Sequence, residues 1–472
     1  MTIDLPFQGV LPLILVSIVA LVVLFIESVV KESERISYPV TLIGLLAAAG
    51  SAILGMGQSG TAFGRMITIG GYGSFLSALF LVSAVLTIIL SRDYALRVPL
   101  RFGEFVLLII FAVMGMMLIA VSADLIVLFL GIELMSISLY VLAGFLRKNL
   151  SSNEASLKYF ILGAFATGFL LYGIALIYGA SGTTTIGTIL ENYHSLSSST
   201  IFWCGAGLLL VGLAFKVGAV PFHMWIPDVY EGSPTPVSAF MASGAKSAAF
   251  SAFVLLFAHQ FEGGDRLRLA IAVLAAASMI VGNVIAVAQS SIKRMLAYSS
   301  IAHAGYMLVG LAAGNQLGRN GILFYLTSYT FMTIGAFGVL SLLEQSVGKN
   351  LTYDNYAGLA RNKPSLAAMM SIFMFSLAGI PPLGGFVGKY YMFVAAISSG
   401  LTWLAIIGVL TSLISVYYYL RLVMVMYFQD GSMEYTASPA KASLAVLVIS
   451  ACVIIQLGVY PSSLLTVINS LF

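Results

Sequence analysis

Stretches of about 20 apolar residues, parted by short polar steps, recur about fourteen times along the chain. They lie near 9–30, 38–56, 71–91, 103–121, 123–145, 158–180, 200–222, 233–259, 268–289, 295–313, 320–343, 364–397, 401–427 and 440–465. A helix rises about 1.5 Å per residue, so each run can cross the roughly 30 Å hydrocarbon layer of a bilayer. The fourth and fifth runs are separated only by Ser122–Asp124. A helix satisfies its own backbone where no water is present. The pattern therefore predicts an all-α, polytopic membrane protein of about fourteen transmembrane helices.

Two predicted helices carry breakers. Helix 7 contains Lys216-Val217-Gly218-Ala219-Val220-Pro221, and helix 12 contains Gly379-Ile380-Pro381-Pro382-Leu383-Gly384-Gly385. Proline removes a backbone donor and clashes with the preceding turn. Inside a membrane such breaks persist only where protein or a water-lined cavity covers the freed groups. The breaks lie five helices apart, and five is odd, so a repeated five-helix unit is inverted. Helices 4–8 and 9–13 are thus predicted to be inverted repeats, a transporter construction with its ion site near the breaks. The expected segments are 1–100 (three helices), 101–262 (first repeat), 263–430 (second repeat) and 431–472 (helix 14).

Composition narrows the class. Only 8% of residues are charged and 60% are hydrophobic, against about 25% charged in soluble domains. The net charge of +4 is small, and no basic run points to nucleic acid. Most of the 22 Lys and Arg residues fall after odd-numbered helices: Lys31, Arg35, Arg92, Arg97, Arg101, Arg147, Lys148, Lys158, Lys293, Arg294, Lys349, Arg361, Lys363, Arg421 and Lys441. Loops after even-numbered helices hold Arg65, Arg266, Arg268 and Arg319. The positive-inside rule then puts the odd loops in the cytoplasm and both termini outside. The first Lys, Lys31, follows the first apolar run, so that run reads as a permanent span rather than a cleaved signal. Trp203 and Trp403 open spans, as interfacial aromatics do. Cys204 and Cys452 form no CxxC pair or cluster signature and read as buried small hydrophobes. No Rossmann glycine pattern or P-loop occurs, so NADH, flavin or ATP is expected on other chains.

Four ionisable side chains interrupt the apolar runs: Glu133, Lys216, Lys246 and Lys389. A charge at a helix centre costs about 2.5–3.5 kcal/mol on translocon scales. Four in one chain point to an ion or proton path, and a buried lysine suits it because burial disfavours the charged form. Lys246 sits among Ala242, Ser243, Gly244, Ala245, Ser247 and Ala248, small residues that admit close helix approach and water.

The segment FKVGAVPFHMWIPDVYEGSPTPVSAFMASGAKSAAF (215–250) resembles the signature of the antiporter-like proton-pumping membrane subunits of respiratory complex I. These in turn resemble subunits of multi-component cation/proton antiporters. ADLIVLFLGIELMSISLYVLAGF, LKYFILGAFATGFLLYGIALIYGASGTT, SIKRMLAYSSIAHAGYML and LAGIPPLGGFVGKYYMF extend the resemblance over nearly the whole chain. Within the family the chain is most similar to the N type. An M-type subunit would carry Glu where Lys389 stands, and an L-type chain would run on past Phe472 into a long lateral helix. The resemblance implies a translocase subunit in a bacterial inner membrane, beside M-, K- and J-type neighbours. It implies no cofactor in this chain, with NADH, FMN, iron–sulfur clusters and quinone in partner subunits. Glu133 would pair with Lys216, Lys246 would relay, and Lys389 would pass the proton toward the outer side.

Weaker candidates accompany these. His303, with Ser299 and Ser300, would bridge the halves on helix 10 or be a satisfied buried histidine. His223 follows the first break and would cap freed carbonyls or touch the wire. Lys158 would feed the inner half-channel or anchor helix 6. Asp228 and Glu231 would shape or cap the outer entrance of helix 8, and Lys293 and Arg294 read as anchors. Haem between His223 and His303 is disfavoured, since there is no second His pair. Two alternatives remain at this level. One is a subunit of a multi-component Na⁺/H⁺ antiporter, disfavoured by a single deep carboxylate. The other is a non-pumping scaffold, which predicts that neutral replacement of the charged sites is tolerated.

Overall fold

The computed structural model describes residues 7–98, 100–258, 265–344, 351–431 and 439–471. Lys349, Phe472 and the expected segment boundary at 262–263 lie outside the described residues. The chain forms α1 (Phe7–Val29), α2 (Glu34–Leu54), β1 (Ser59–Ala62), β2 (Ile67–Gly70), α3 (Gly71–Ala95), α4 (Phe102–Val121), α5 (Leu125–Ala143), α6 (Leu150–Ser181) and α7 (Thr200–Val217). It continues with α8 (Thr235–Phe257), α9 (Asp265–Val287), α10 (Ile292–Ala313), α11 (Gln316–Leu343), α12 (Pro364–Ala378), α13 (Gly384–Ser398), α14 (Thr402–Phe428) and α15 (Lys441–Val459). Among the described residues, thirteen of these helices are long and apolar enough to cross a membrane. α12 and α13 are the two halves of predicted helix 12.

One element departs from the all-helical expectation. Between α2 and α3 the chain makes an antiparallel hairpin, β1 against β2, with Ser59 opposite Gly70 and Ala62 opposite Ile67. Phe63, Gly64 and Arg65 turn it with positive φ of 51°, 64° and 68°. Ala62, Ile67 and Ile69 bury against Val10. Two four-residue strands are too short for their alternation to stand out from a loop.

The layers sort by polarity. In α3, α8, α10 and α11, 89–94% of the apolar stretch is buried, against 33–39% in α1, α2, α6, α14 and α15. Of the four interior helices, α8 carries Lys246 and α10 carries Lys293 and His303, and Glu344 follows directly on α11. The outer helices turn large apolar side chains outward, among them Leu21, Phe25, Ile43, Phe165 and Leu413. Cys204 and Cys452 are exposed on α7 and α15, which corrects the expectation that they are buried. Both face out of the bundle on its apolar rim, where a thiol is tolerated as a small hydrophobe.

Local hydrogen bonding recurs five spans apart. Asp124 caps α5, its carboxylate accepting from Ile126 N at 2.8 Å and Thr184 Oγ1 at 2.6 Å. Leu125 N donates to Thr184 O at 2.9 Å, and Ile186 N to Ala123 O at 2.9 Å. Ser291 caps α10 in the same way, accepting from Arg294 N at 3.3 Å. There Ile292 N donates to Leu351 O at 2.8 Å, and Tyr353 N to Ser290 O at 3.4 Å. The breaks match as well. α7 ends at Gly218 (φ 70°) with Ala219 N on Ala214 O at 2.9 Å, and α12 ends at Gly379 (φ 86°) with Ile380 N on Phe375 O at 3.0 Å. Only glycine adopts this left-handed cap without a Cβ penalty.

Neighbouring helices approach backbone to backbone through facing glycines. A Cβ on Gly173 of α6 would lie 2.8 Å from Gly205 O of α7, and one on Gly205 would lie 2.9 Å from Gly173 O. Gly168, five residues earlier on α6, has nothing within 4 Å. Gly173→Val is therefore expected to lower stability by about 1–3 kcal/mol through overpacking. Gly168→Ala should be neutral or stabilising by up to about 1 kcal/mol through helix propensity. Thermal melting of the detergent-solubilised protein checks both. Equal melting of the two variants would mean that α6 and α7 do not pack this closely.

Candidate functional site

Three lysines and a histidine lie along the middle of the bundle, each held by a different kind of partner. Lys216, Lys246 and Lys389 are only 7%, 2% and 4% exposed. A buried ammonium needs acceptors, and the surrounding helices supply them.

On α5, Glu133, Ser136 and Tyr140 stand at i, i+3 and i+7, one face of the helix. Lys216, in the last turn of α7, donates to Ser136 Oγ at 2.8 Å and approaches Tyr140 OH at 3.4 Å. No Glu133–Lys216 ion pair within 4.0 Å forms. Glu133 Oε1 is buried with no hydrogen-bond partner. The expected pair is thus placed on neighbouring elements, with Ser136, one turn from Glu133, taking the lysine. Beyond the break, Trp225 Nε1 takes the carbonyl of Phe215 at 3.0 Å, and Val220 N donates to Ser278 Oγ at 2.9 Å. Trp225 thus takes one of the freed carbonyls, a role also considered for His223, whose ring lies by the Pro221 carbonyl. His223 is half-buried, makes no hydrogen bond to the lysines, and leaves Nδ1 without a partner.

In α8 a π-helical turn, Met241–Ala245, immediately precedes Lys246. Such a turn widens the helix and re-aims the next side chain. Lys246 Nζ donates to Ser300 O of α10 at 2.6 Å. Three residues on, His303 bonds Tyr325 OH through Nδ1 at 2.5 Å and Tyr419 OH through Nε2 at 3.0 Å. Tyr419 also bonds Ser299. Three residues further, Tyr306 OH accepts from Asn283 Nδ2 at 3.1 Å, and its ring lies 4.6 Å below Lys389 Nζ. Lys389 folds back from α13 onto the carbonyls that the second break frees, Leu377 at 3.1 Å and Ala378 at 3.2 Å. Gly379 leaves room for it, since a Cβ there would come within 3.2 Å of the lysine stem. From Ser300 to Tyr306 is six residues, about 9 Å of helix. Lys246, His303 and Lys389 are therefore strung along one side of α10.

The remaining candidates gather at the helix ends that carry most of the Lys and Arg residues. Lys158 Nζ meets Glu154 at 2.6 Å and Asp228 at 2.7 Å. Arg294 meets Asp228 at 2.9 Å and Glu231 at 2.8 Å. Burial works against the Asp228 charge, yet Lys158 and Arg294 hold its carboxyl below the usual range. Asp228 and Glu231 were expected at an outer entrance, but they lie at this basic face. The 7–8 connection leaves the bundle at the same end as the 5–6 and 9–10 connections. Lys293, read as an anchor, is 0% exposed and donates to Ser233 O at 2.5 Å. Ser136, Tyr140, Tyr306, Tyr325, Tyr419 and Glu344 escaped the sequence reading. The i, i+3, i+7 spacing from Glu133 marks the first two, whereas the others meet only in three dimensions.

Comparison with known proteins gives the family. Residues 122–415 match the family described as NADH:quinone oxidoreductase/Mrp antiporter, TM. The chain is 46% identical over 465 residues to NADH-quinone oxidoreductase subunit N of Trichlorobacter lovleyi, covering 97% of this chain and 95% of that one. It is similar to a chain of respiratory complex I from Thermus thermophilus with bound aureothin, at 35% identity and a TM-score of 0.83, covering 96% of this chain and 98% of that one. A chain of the Mrp complex from Dietzia shares the fold, with a TM-score of 0.80 at 21% identity, over 99% of this chain and 97% of that one. With the family matched over residues 122–415 and a relative 46% identical over nearly the full length of both chains, this chain belongs to the NADH:quinone oxidoreductase/Mrp antiporter transmembrane family.

Proposed function

We propose that the chain is the N-type membrane subunit of a proton-translocating NADH:quinone oxidoreductase. It moves protons through Lys216, Lys246, His303 and Lys389, with Glu133 as the partner that biases Lys216. NADH, FMN, iron–sulfur clusters and quinone belong to other subunits, and the chain works beside M-, K- and J-type membrane neighbours. The observation that carries this reading is the line of buried basic groups along α10. Buried amines that rest on neutral oxygens can each lose a proton without leaving an unpaired anion behind.

The chemistry follows from the partners. Lys216 rests on Ser136, a neutral acceptor, with Glu133 one turn away on the same face. Moving Lys216 from Ser136 to Glu133 would favour its charged form by about 1.4–4 kcal/mol, the worth of an opposite charge at a few ångströms. Return to Ser136 would release the proton toward Lys246. His303 carries both a donor and an acceptor, so its two tyrosine contacts can pass a proton from one side of the ring to the other. Lys389 would deliver it at the second break. The basic face would be cytoplasmic, the membrane a bacterial inner membrane, and both termini outside.

Lys216→Ala is expected to leave the complex assembled and to reduce NADH-driven acidification of vesicles about tenfold or more, within the range for removing a positioned acid–base group. Glu133→Ala should reduce it less. Lys389→Arg separates a structural role from a proton role. Arg can still cap Leu377 and Ala378, but it stays protonated, so pumping should fall although native gels show normal assembly. Full pumping by assembled Lys216→Ala complex would leave the subunit a scaffold.

Orientation has its own check. In a chain with Cys204 and Cys452 replaced by alanine, Arg361→Cys should react with impermeant maleimide only from the cytoplasmic side. Ser198→Cys should react only from outside. The reverse pattern would overturn the positive-inside assignment.

A further inference from the structure

Lys293 and Glu344 take no part in the path described so far, yet both are 0% exposed. They close on the same short stretch of backbone, the start of α8. Lys293 of α10 donates to Ser233 O at 2.5 Å. Glu344, at the end of α11, accepts from Thr235 Oγ1 at 2.5 Å. Only Pro234 separates those two partners. Arg97 fixes the end of α11 from the side, donating to Ser341 O at 2.8 Å, Leu342 O at 2.9 Å and Glu344 O at 2.8 Å. A buried carboxylate and a buried ammonium thus share one site. Burying them costs more than an apolar pair of similar size would.

The location suggests what they do. Arg294, next in sequence to Lys293, belongs to the half-exposed Lys158–Asp228–Arg294–Glu231 cluster at the basic face. Inward along α10, Ser300 lies seven residues from Lys293, two turns on the same face and about 10.5 Å away. Ser300 holds Lys246. Lys293 and Glu344 therefore stand between the surface cluster and the first central lysine of the α10 line, on the helix that carries that line.

We infer that Lys293 and Glu344 are a second proton intake of this subunit, loading Lys246 from the basic face in addition to the Lys216 route. The inference rests on the proton-path reading above. In each cycle the ammonium of Lys293 gives one proton inward to a neutral Lys246 through the Ser300 side of α10. Glu344, having taken one proton from water at the basic face, returns it to Lys293. One proton enters and one leaves, and the pair regains its starting charges.

The variants Glu344→Gln, Glu344→Asp, Lys293→Arg and Lys246→Ala test this in the whole complex in vesicles, with quinol formation and acidification measured together. Gln still accepts from Thr235 but does not titrate, and Arg still caps Ser233 but stays protonated. For an intake pair, Glu344→Gln and Lys293→Arg should each cut protons moved per quinol about tenfold, and Glu344→Asp should restore part of the loss. A purely structural pair leaves Gln and Arg at the wild-type ratio. That result, with Lys246→Ala inactive, overturns the intake role and leaves the central path standing. Full pumping by Lys246→Ala overturns the path itself. Should Glu344→Gln fail to assemble, Lys293→Arg decides the point by the same ratio.

Discussion

Every polar group in the interior must find its partner inside the protein, because lipid offers none. The two breaks concentrate that demand. Ending α7 at Gly218 and α12 at Gly379 frees carbonyls in the middle of the bundle. At the first break an indole N–H takes Phe215 O. At the second an ammonium takes Leu377 O and Ala378 O. The helix C-terminus carries partial negative charge, so a lysine there is held by the fold without a carboxylate. That lets a basic group stay deep in the bundle on backbone oxygens alone.

α10 turns these separate solutions into one line. Its Ser300 carbonyl meets α8, its His303 meets Tyr325 of α11 and Tyr419 of α14, and its Tyr306 meets Asn283 of α9 and Lys389 of α13. The stripe repeats every three residues and so drifts slowly around the helix, touching different neighbours in turn. An almost fully buried helix is well suited to this, since few of its side chains are needed for contact with lipid. Tyr418 extends the network by donating to Asn283 Oδ1 at 2.8 Å.

The helical spans, both breaks and the four intramembrane charges were legible in the sequence, since each is a local contrast of apolar runs with proline, glycine or charge. The matching of Asp124 with Ser291 and of Gly218 with Gly379 was not, because it lies in backbone hydrogen bonds that differing side chains support equally. Glu133 and Lys216 were readable as residues, while the Ser136 contact was not. Spacing places Ser136 on the right face but says nothing about which oxygen the lysine chooses. Asp228 and Glu231 were misplaced because the acidic loop was read apart from the charge asymmetry that puts its end of helix 8 with Lys158 and Arg294. Lys293 was read as an anchor, and Glu344 was missed, for a related reason. Both sit at run boundaries, where a charge ordinarily means solvent, and here the stretch from Ser233 to Thr235 closes on them instead.

The Ser136 contact bears on how a remote event could drive this subunit. Ser136 and Glu133 lie one turn apart, so Lys216 has two acceptors on one face, one neutral and one anionic. A shift of α7 relative to α5 by a fraction of a helical turn would exchange them. Close glycine packing makes such elements bistable rather than softly deformable. Gly115 and Gly131 lock α4 to α5, with a Cβ on Gly131 falling 2.9 Å from Gly115 O, and Gly173 and Gly205 lock α6 to α7. The natural units of motion are then the two pairs, α4–α5 carrying Glu133 and Ser136, and α6–α7 carrying Lys216. On the proposed proton path, the proton affinity of Lys216 would then follow how these pairs register, and a neighbour that pushes on either pair would change it.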